Sequence, residues 1–232
     1  MKRVLLKLSG EALANNSGDI YDNGFVDEVA AALKSCVDSG FEIAVVVGAG
    51  NIWRGRQGGE MDRTAADRMG MLATVINAIC LKDALVRAGT DAVVMTSVPM
   101  PPLADVYSAE AAVSALKSGK VVIFGAGLGI PFLSTDTTGA VRAAEIGADA
   151  MLMAKNVDYI YTADPRTNPD AKKLEQVKAS EVLALNLKAI DATATAFCLS
   201  TGMPIHVFGL KDPRDIVKAV HGDVKGTVIT AE

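Results

Sequence analysis

Aromatic residues, cysteine, histidine and net charge are all scarce in this chain. Phe, Trp and Tyr make up 5% of its 232 residues, and it holds three cysteines and two histidines. Cys36, Cys80 and Cys198 stand alone, with no CxxC pair and no histidine beside them, which excludes a disulfide framework or a zinc-type cluster built on them. All three fall among apolar helical positions and read as buried structural thiols. His206 and His221 have no sequence neighbour that suggests catalysis, and they also read as structural. The formal net charge is −4 and the pI is near 5.3, which excludes a generic nucleic-acid surface but leaves room for a local basic pocket.

Long apolar runs are missing too. The longest uncharged run, residues 121–135, is broken by Gly125, Gly127, Gly129 and Pro131 and is shorter than the about 20 residues a spanning helix needs. After Met1-Lys2-Arg3 the apolar stretch contains Lys7 and stops at Ser9-Gly10 with no small-residue cleavage pattern, so it does not read as a signal peptide. No Gly/Ser/Pro linker divides the chain. The expectation is one domain over residues 1–232, cytoplasmic, with no membrane or nucleic-acid partner.

What is present is aliphatic: 50% of residues are hydrophobic and the mean hydropathy is +0.28, which excludes disorder. Short β-branched runs at residues 3–8, 43–47, 92–96, 121–124, 150–154 and 205–210 read as strands, several of them apolar on both faces. Strands of that kind lie in a mostly parallel sheet covered by helices on both sides, a three-layer αβα sandwich. Phe25, Val29, Leu33 and Val37 mark one helical face ending near Gly40, and Met69, Leu72, Ile76, Ile79 and Leu85 mark a longer one ending at Gly89. Ser108 caps a third helix that stops at Gly119, and Ser180 and Gly202 punctuate the C-terminal helices. The polar stretch 162–173, with Pro165 and Pro169, reads as an inserted loop or a seam between lobes.

Glycines gather after the strands, at Gly48-Ala49-Gly50 and at Gly125-Ala126-Gly127-Leu128-Gly129. Neither run is a GxGxxG fingerprint, because Trp53 and Ile130 occupy the third glycine position, and no GxxxxGK[ST] P-loop exists. Both still permit tight turns whose N–H groups converge on an anion, at the strand ends where open α/β sheets bind ligands. Lys7 lies among aliphatic residues near the end of the first strand. Either it points into a cleft to meet a phosphate, or it guards an edge strand against aggregation. Arg54 in its glycine-flanked loop suits a phosphate or plain solvent. Asp136 sits where a helix starts, as a site acid or a cap. Asp164 and Asp191 look ordinary in isolation, as a pre-proline turn residue and a helix-surface acid.

Read as a set, these residues resemble the bacterial uridylate kinases of the amino-acid kinase superfamily. The resemblance covers essentially the whole chain. It rests on Val4-Leu5-Leu6-Lys7-Leu8-Ser9-Gly10-Glu11-Ala12-Leu13, Val47-Gly48-Ala49-Gly50-Asn51-Ile52-Trp53-Arg54-Gly55 and Ala66-Asp67-Arg68-Met69-Gly70-Met71-Leu72-Ala73-Thr74, then on Pro131-Phe132-Leu133-Ser134-Thr135-Asp136 and Thr162-Ala163-Asp164-Pro165. It implies an amino-acid kinase fold that transfers phosphate from ATP to UMP in pyrimidine nucleotide synthesis, with Mg2+ held mainly by nucleotide phosphates rather than by a protein metal site.

Carried over by position, the resemblance assigns ATP contacts to Lys7, Leu8, Ser9, Gly10, Gly50, Arg54, Tyr161 and Asp164. Lys155 or Asn156 holds a further adenosine contact, with Asn156 favoured. UMP contacts fall on Ala49, Asp67, Leu128, Gly129, Ile130, Pro131, Phe132, Leu133, Ser134 and Thr135. Lys7, Arg54, Asp136 and Asp191 take the catalytic roles. Where the family usually carries GTGNP, this chain has Gly127-Leu128-Gly129-Ile130-Pro131, and losing two polar groups near the pyrimidine relaxes base discrimination. The family also implies a homohexamer activated by GTP and inhibited by UTP; the apolar face of the helix over residues 64–88 either supplies part of such an interface or is buried in the monomer. Two other readings are a uridine-nucleotide-sensing protein with weak turnover and a kinase of a carbamate or amino-acid carboxylate.

Overall fold

The computed structural model of the chain describes residues 1–14, 18–163, 165, 167–187 and 189–231. In chain order the elements are β1 (Arg3–Leu8), α1 (Asn23–Asp38), β2 (Glu42–Val47), α2 (Arg63–Arg87), β3 (Ala92–Thr96) and β4 (Asp105–Val106). They continue with α3 (Ala109–Lys117), β5 (Val121–Gly125), α4 (Thr135–Glu145), β6 (Ala150–Lys155), β7 (Ile160–Tyr161) and β8 (Lys173–Leu174). The C-terminal part adds β9 (Gln176–Lys178), α5 (Ala179–Ala184), α6 (Ala192–Thr201), β10 (Ile205–Gly209), α7 (Arg214–His221) and β11 (Gly226–Thr230).

Nine strands form one sheet in the order β4-β3-β5-β2-β1-β6-β10-β11-β9, parallel throughout except for the β10–β11 pair. The six strands expected from sequence are all present, with ends shifted by at most one residue. Alternation along β1 sends Val4, Leu6 and Leu8 into a core under α1, α2 and α7, and Leu5 into a second core under α3, α4, α5 and α6. The chain is therefore the expected three-layer αβα sandwich. Short aliphatic side chains let helices approach both faces of the sheet closely, which is the physical use of a composition poor in aromatics.

On α2 the apolar stripe read from periodicity is mostly not buried in the monomer. Met69, Leu72, Ile76 and Ile79 face outward, with Leu72 and Ile76 54% and 51% exposed, while Leu85 is buried. The inward face is instead Ala66, Ala73, Thr74, Asn77, Ala78, Leu81, Ala84 and Leu85. The helix sits close to the sheet there: a Cβ built on Gly125 of β5 would stand 3.2 Å from Val75 Cγ2, and alanines make up much of the inward face beside Val75, Leu81 and Leu85. By length and composition α2 could cross a membrane, yet its alanine side lies on the sheet as that of a core helix does.

Smaller corrections concern caps. Ser108 caps α3 as expected, and Gly202 ends α6 with φ +73°. Ser180, however, sits inside the first turn of α5, and Lys178 precedes it as the boundary residue. His221 is the last residue of α7. Cys36 and Cys198 are buried and burial raises both thiols to about 11, whereas Cys80 is only half-buried. The 162–173 stretch, as far as it is described, is bracketed by the antiparallel pair β7–β8.

At the C-terminal edge, Gly226 pairs with Phe208, and a Cβ there would meet the Val207 carbonyl oxygen at 2.1 Å. Gly226→Ala is expected to destabilise the fold by about 1–3 kcal/mol in urea unfolding, because backbone cannot move aside as a side chain would. An unchanged midpoint would show that β11 shifts freely.

Candidate active site

Lys7 occupies the fifth strand of nine, between β2 and β6, with Val46 and Met153 as register partners. The edge-strand reading is therefore excluded. Two residues beyond Leu5, its side chain projects to the α4 face of the sheet at the strand's carboxyl end, and Lys155 reaches the same level two residues beyond Met153 on β6. Between them stands Asp136, in the first turn of α4. Lys7 Nζ lies 2.8 Å from Asp136 Oδ1 and Lys155 Nζ 2.9 Å from Oδ2. Lys7 is 7% exposed and Asp136 8%.

Burial by itself pushes the Asp136 carboxyl up, but the Lys7 and Lys155 ammonium groups outweigh it and hold the carboxyl below the ordinary carboxylate range. Burial, with Lys7 close by, pulls Lys155 below the ordinary lysine value in spite of Asp136. The cluster thus carries two positive charges against one negative, a local cationic spot in an acidic protein.

Asp136 is not the helix cap. Ser134 is, its hydroxyl accepting from the Asp136 and Thr137 amides at 3.0 and 3.1 Å. Asp191 is not a bare surface acid either: it caps α6 by accepting from Ala194 N at 2.8 Å. It also accepts from the Ser134 hydroxyl and from Thr137 Oγ1 at 3.1 Å, tying the starts of α4 and α6 together.

Around this centre opens a cleft of about 750 Å³, lined by Lys7, Ser9, Gly10, Ala49, Gly50, Arg54, Asp67, Leu128, Ile130, Phe132, Leu133, Ser134, Thr135, Asp136, Lys155 and Asp191 among others. It lies past the carboxyl ends of β1, β2, β5 and β6, where their turns meet. Gly10 is needed for that meeting, since a Cβ there would stand 2.5 Å from the Gly48 carbonyl oxygen and 2.7 Å from Gly50 N. Arg54 pairs with Glu11 across the opening. Asp67 is held by Arg63 Nε at 2.9 Å and accepts from Phe132 N at 2.9 Å, so it fastens the 128–133 loop to α2.

The amino acid kinase family pattern matches residues 2–209. The chain belongs to the amino acid kinase family. It is similar to the solved UMP kinase of Bacillus anthracis, with 37% identity over 100% of this chain and 96% of that one and a TM-score of 0.95. The UMP kinase of Ureaplasma parvum has 35% identity over 99% and 98% of the two chains and a TM-score of 0.93. The uridylate kinase of Archaeoglobus fulgidus has 28% identity over 99% and 100%, with a TM-score of 0.74.

In this amino acid kinase most of the residues read from sequence converge on the cleft, and a few do not. The Leu8 side chain is buried in the core, leaving only its backbone to the cleft. Gly129, with φ +76°, is tucked against Ser97, and Pro131 does not line the cleft wall. Asn156 is exposed beyond the end of β6, and Tyr161 donates to Asp158 at 2.8 Å, both away from this wall. Asp164 lies outside the described residues. Lys155, which the sequence offered only as an alternative to Asn156 for an adenosine contact, stands beside Asp136 at the centre of the cleft. The signal was present in its register, on the neighbouring strand and the same face as Lys7, two residues beyond Met153, the partner of Lys7.

Asp136→Asn leaves two lysines facing each other without a counter-ion, and should cost about 3–5 kcal/mol at pH 7. The carboxyl is lowered on folding, so its stabilisation is full above its ordinary value of 3.8 and is lost as pH falls through the lowered one. The gap between wild type and variant in denaturant unfolding should therefore close below pH 3.8. A gap independent of pH would show that the charge of Asp136 is not what stabilises.

Proposed function

We propose that this chain transfers the γ-phosphoryl group of ATP to UMP, forming UDP and ADP. The observation that carries the reading is the Lys7–Asp136–Lys155 cluster at the floor of the cleft, where the two glycine turns converge. Phosphoryl transfer asks a protein mainly for positioning and for neutralisation of spreading negative charge. An anionic oxygen of the UMP phosphate attacks the γ-phosphorus, the bond to the bridging oxygen breaks, and ADP leaves with that electron pair. No proton has to be abstracted, so Asp136 needs no role as a base. It holds both ammonium groups level with the transferring group, and Asp191, through Ser134 and Thr137, holds the helix that carries Asp136.

Ser9, Gly10 and Gly50 offer backbone N–H groups to the ATP phosphates, and Arg54 exchanges Glu11 for phosphate oxygens. Ala49, Asp67 and the 128–135 loop take UMP, with Asp67 towards the ribose. Among the described residues no group of three or more acidic, histidine or cysteine side chains is placed to hold a metal ion. In this reading Mg2+ would arrive with the nucleotide phosphates and would neutralise part of their charge. Tyr161 and Asn156 belong to the adenosine end in this reading.

The wall at the pyrimidine end, with Leu128 and Ile130, supplies no side-chain donor or acceptor at those two positions. A coupled assay with Mg-ATP should show turnover of UMP and, because the wall discriminates weakly between pyrimidine bases, a measurable rate with CMP within about 100-fold of UMP. Folded protein that releases no ADP with UMP would sink the reading.

The exposed stripe Met69, Leu72, Ile76 and Ile79 on α2 supports an oligomer, in which these residues bury against another copy. We take the assembly to be a hexamer, activated by GTP and inhibited by UTP, in a cytoplasmic enzyme of pyrimidine nucleotide synthesis, on the strength of the resemblance to bacterial uridylate kinases. Ile76→Glu should lower the mass seen by light scattering without unfolding the chain. An unchanged mass would place the interface elsewhere.

A further inference from the structure

The turn that launches the 128–133 loop is held in an unusual shape by two hydroxyls from outside it. Ala126 and Gly127 both have left-handed backbone, with φ +60° and +56°. Ala126 is fully buried and not a glycine, so this conformation persists only if its surroundings impose it. They do so through one hydrogen bond on each residue. The Ala126 amide donates to Thr74 Oγ1 of α2 at 2.8 Å, and the hydroxyl of Ser97, just past β3, donates to the Gly127 carbonyl at 2.8 Å. Thr74 is itself oriented, donating to Met71 O at 2.6 Å.

Ser97 is oriented by the buried guanidinium of Arg142, which donates to its oxygen at 2.7 Å, stacks 3.6 Å from the Tyr107 ring centre and pairs with Glu145. With the Arg142 donor occupying the serine oxygen, the hydroxyl proton is directed to Gly127.

We propose that Thr74 and Ser97 are positioning residues for the acceptor, clamping Ala126 and Gly127 so that the loop after them is aimed into the cleft. This rests on the reading of residues 128–135 as the UMP loop. Neither hydroxyl has to touch the reacting atoms. Their effect reaches UMP through the direction of the loop, while the ATP side, built on β1 and β2, is left alone.

Thr74→Val keeps the shape and removes the acceptor, and Thr74→Ser keeps the hydroxyl. In Thr74→Val the KM for UMP should rise about tenfold with kcat and the KM for ATP within about threefold, as expected for one buried hydrogen bond. Thr74→Ser should return the UMP KM to within about threefold of wild type. Ser97→Ala should move the UMP KM in the same direction and gives a second route should the valine variant fold poorly.

Amide exchange at Ala126, followed by NMR, reads the clamp without any turnover and should quicken about tenfold or more in Thr74→Val. Unchanged exchange, an unchanged UMP KM, or an equal rise in both KM values overturns the proposal, because a merely structural role would move both substrates together. If wild-type protein turns over no UMP, the acceptor reading itself has failed, and the exchange rate alone decides whether the hydroxyls hold the turn.

Discussion

A charged lysine in the middle strand of a buried sheet has to be compensated, and much of the site follows from how that is done. Lys7 cannot be hydrated where it lies, so a carboxylate must reach it, and Asp136 does so from the first turn of α4. For that carboxylate to arrive, α4 must begin directly above the end of β1. The Ser134 cap and the Asp191 link to α6 set that starting point. Lys155 then tips the balance to net positive, which a single ion pair would not have achieved. The arrangement is costly for folding alone, since buried ion pairs rarely gain more than they lose in desolvation. In the proposed reading it serves as a fixed electrostatic receptor for an anion, ready before the anion arrives.

The second constraint is spacing. In the proposed reading the donor and acceptor turns come from different strands, β1 and β2 on one side and β5 on the other, and they line one cleft. α2 spans both. Asn77, fully buried in its middle, donates to the Gly48 carbonyl at 2.7 Å and to Asn51 Oδ1 at 2.8 Å, and accepts from Tyr21 at 2.7 Å. One turn earlier Thr74 takes the Ala126 amide, and two turns before that Asp67 takes Phe132 N. A single rigid rod thus fixes the relative height of both loops. Its opposite face carries the exposed apolar stripe, so whatever binds that stripe presses on the same rod.

Much of this was legible in the primary structure. The β-branched runs and glycine punctuation were enough to call the six main strands and a helix-covered parallel sheet, because a strand buried on both faces must be continuously apolar. The clustering of glycines at strand ends pointed to the cleft in which those turns meet. The family-like blocks around Lys7, Arg54, Asp67, Asp136 and Asp191 named residues that do meet in one cleft. Periodicity marked Met69, Leu72, Ile76 and Ile79 as one face of α2 but did not decide between burial in the monomer and exposure on its surface. A helix with apolar residues on two sides has no unique inward face until the depth of its seat is known.

What the sequence determined by itself is the layered architecture and the chemical types gathered at the strand ends, since both depend on local patterns of apolar, β-branched and glycine residues. Tertiary structure alone decided which charges are partners. Lys7, Asp136 and Lys155 are far apart in the chain, and only the register of β1 against β6 and the start of α4 bring them within hydrogen-bonding distance. The same holds for Thr74 and Ser97 on the Ala126–Gly127 turn. Hydrogen bonds and ion pairs act over about 3 Å, and no one-dimensional pattern records a distance that short between residues fifty or more positions apart in sequence, as Thr74 and Ala126 are.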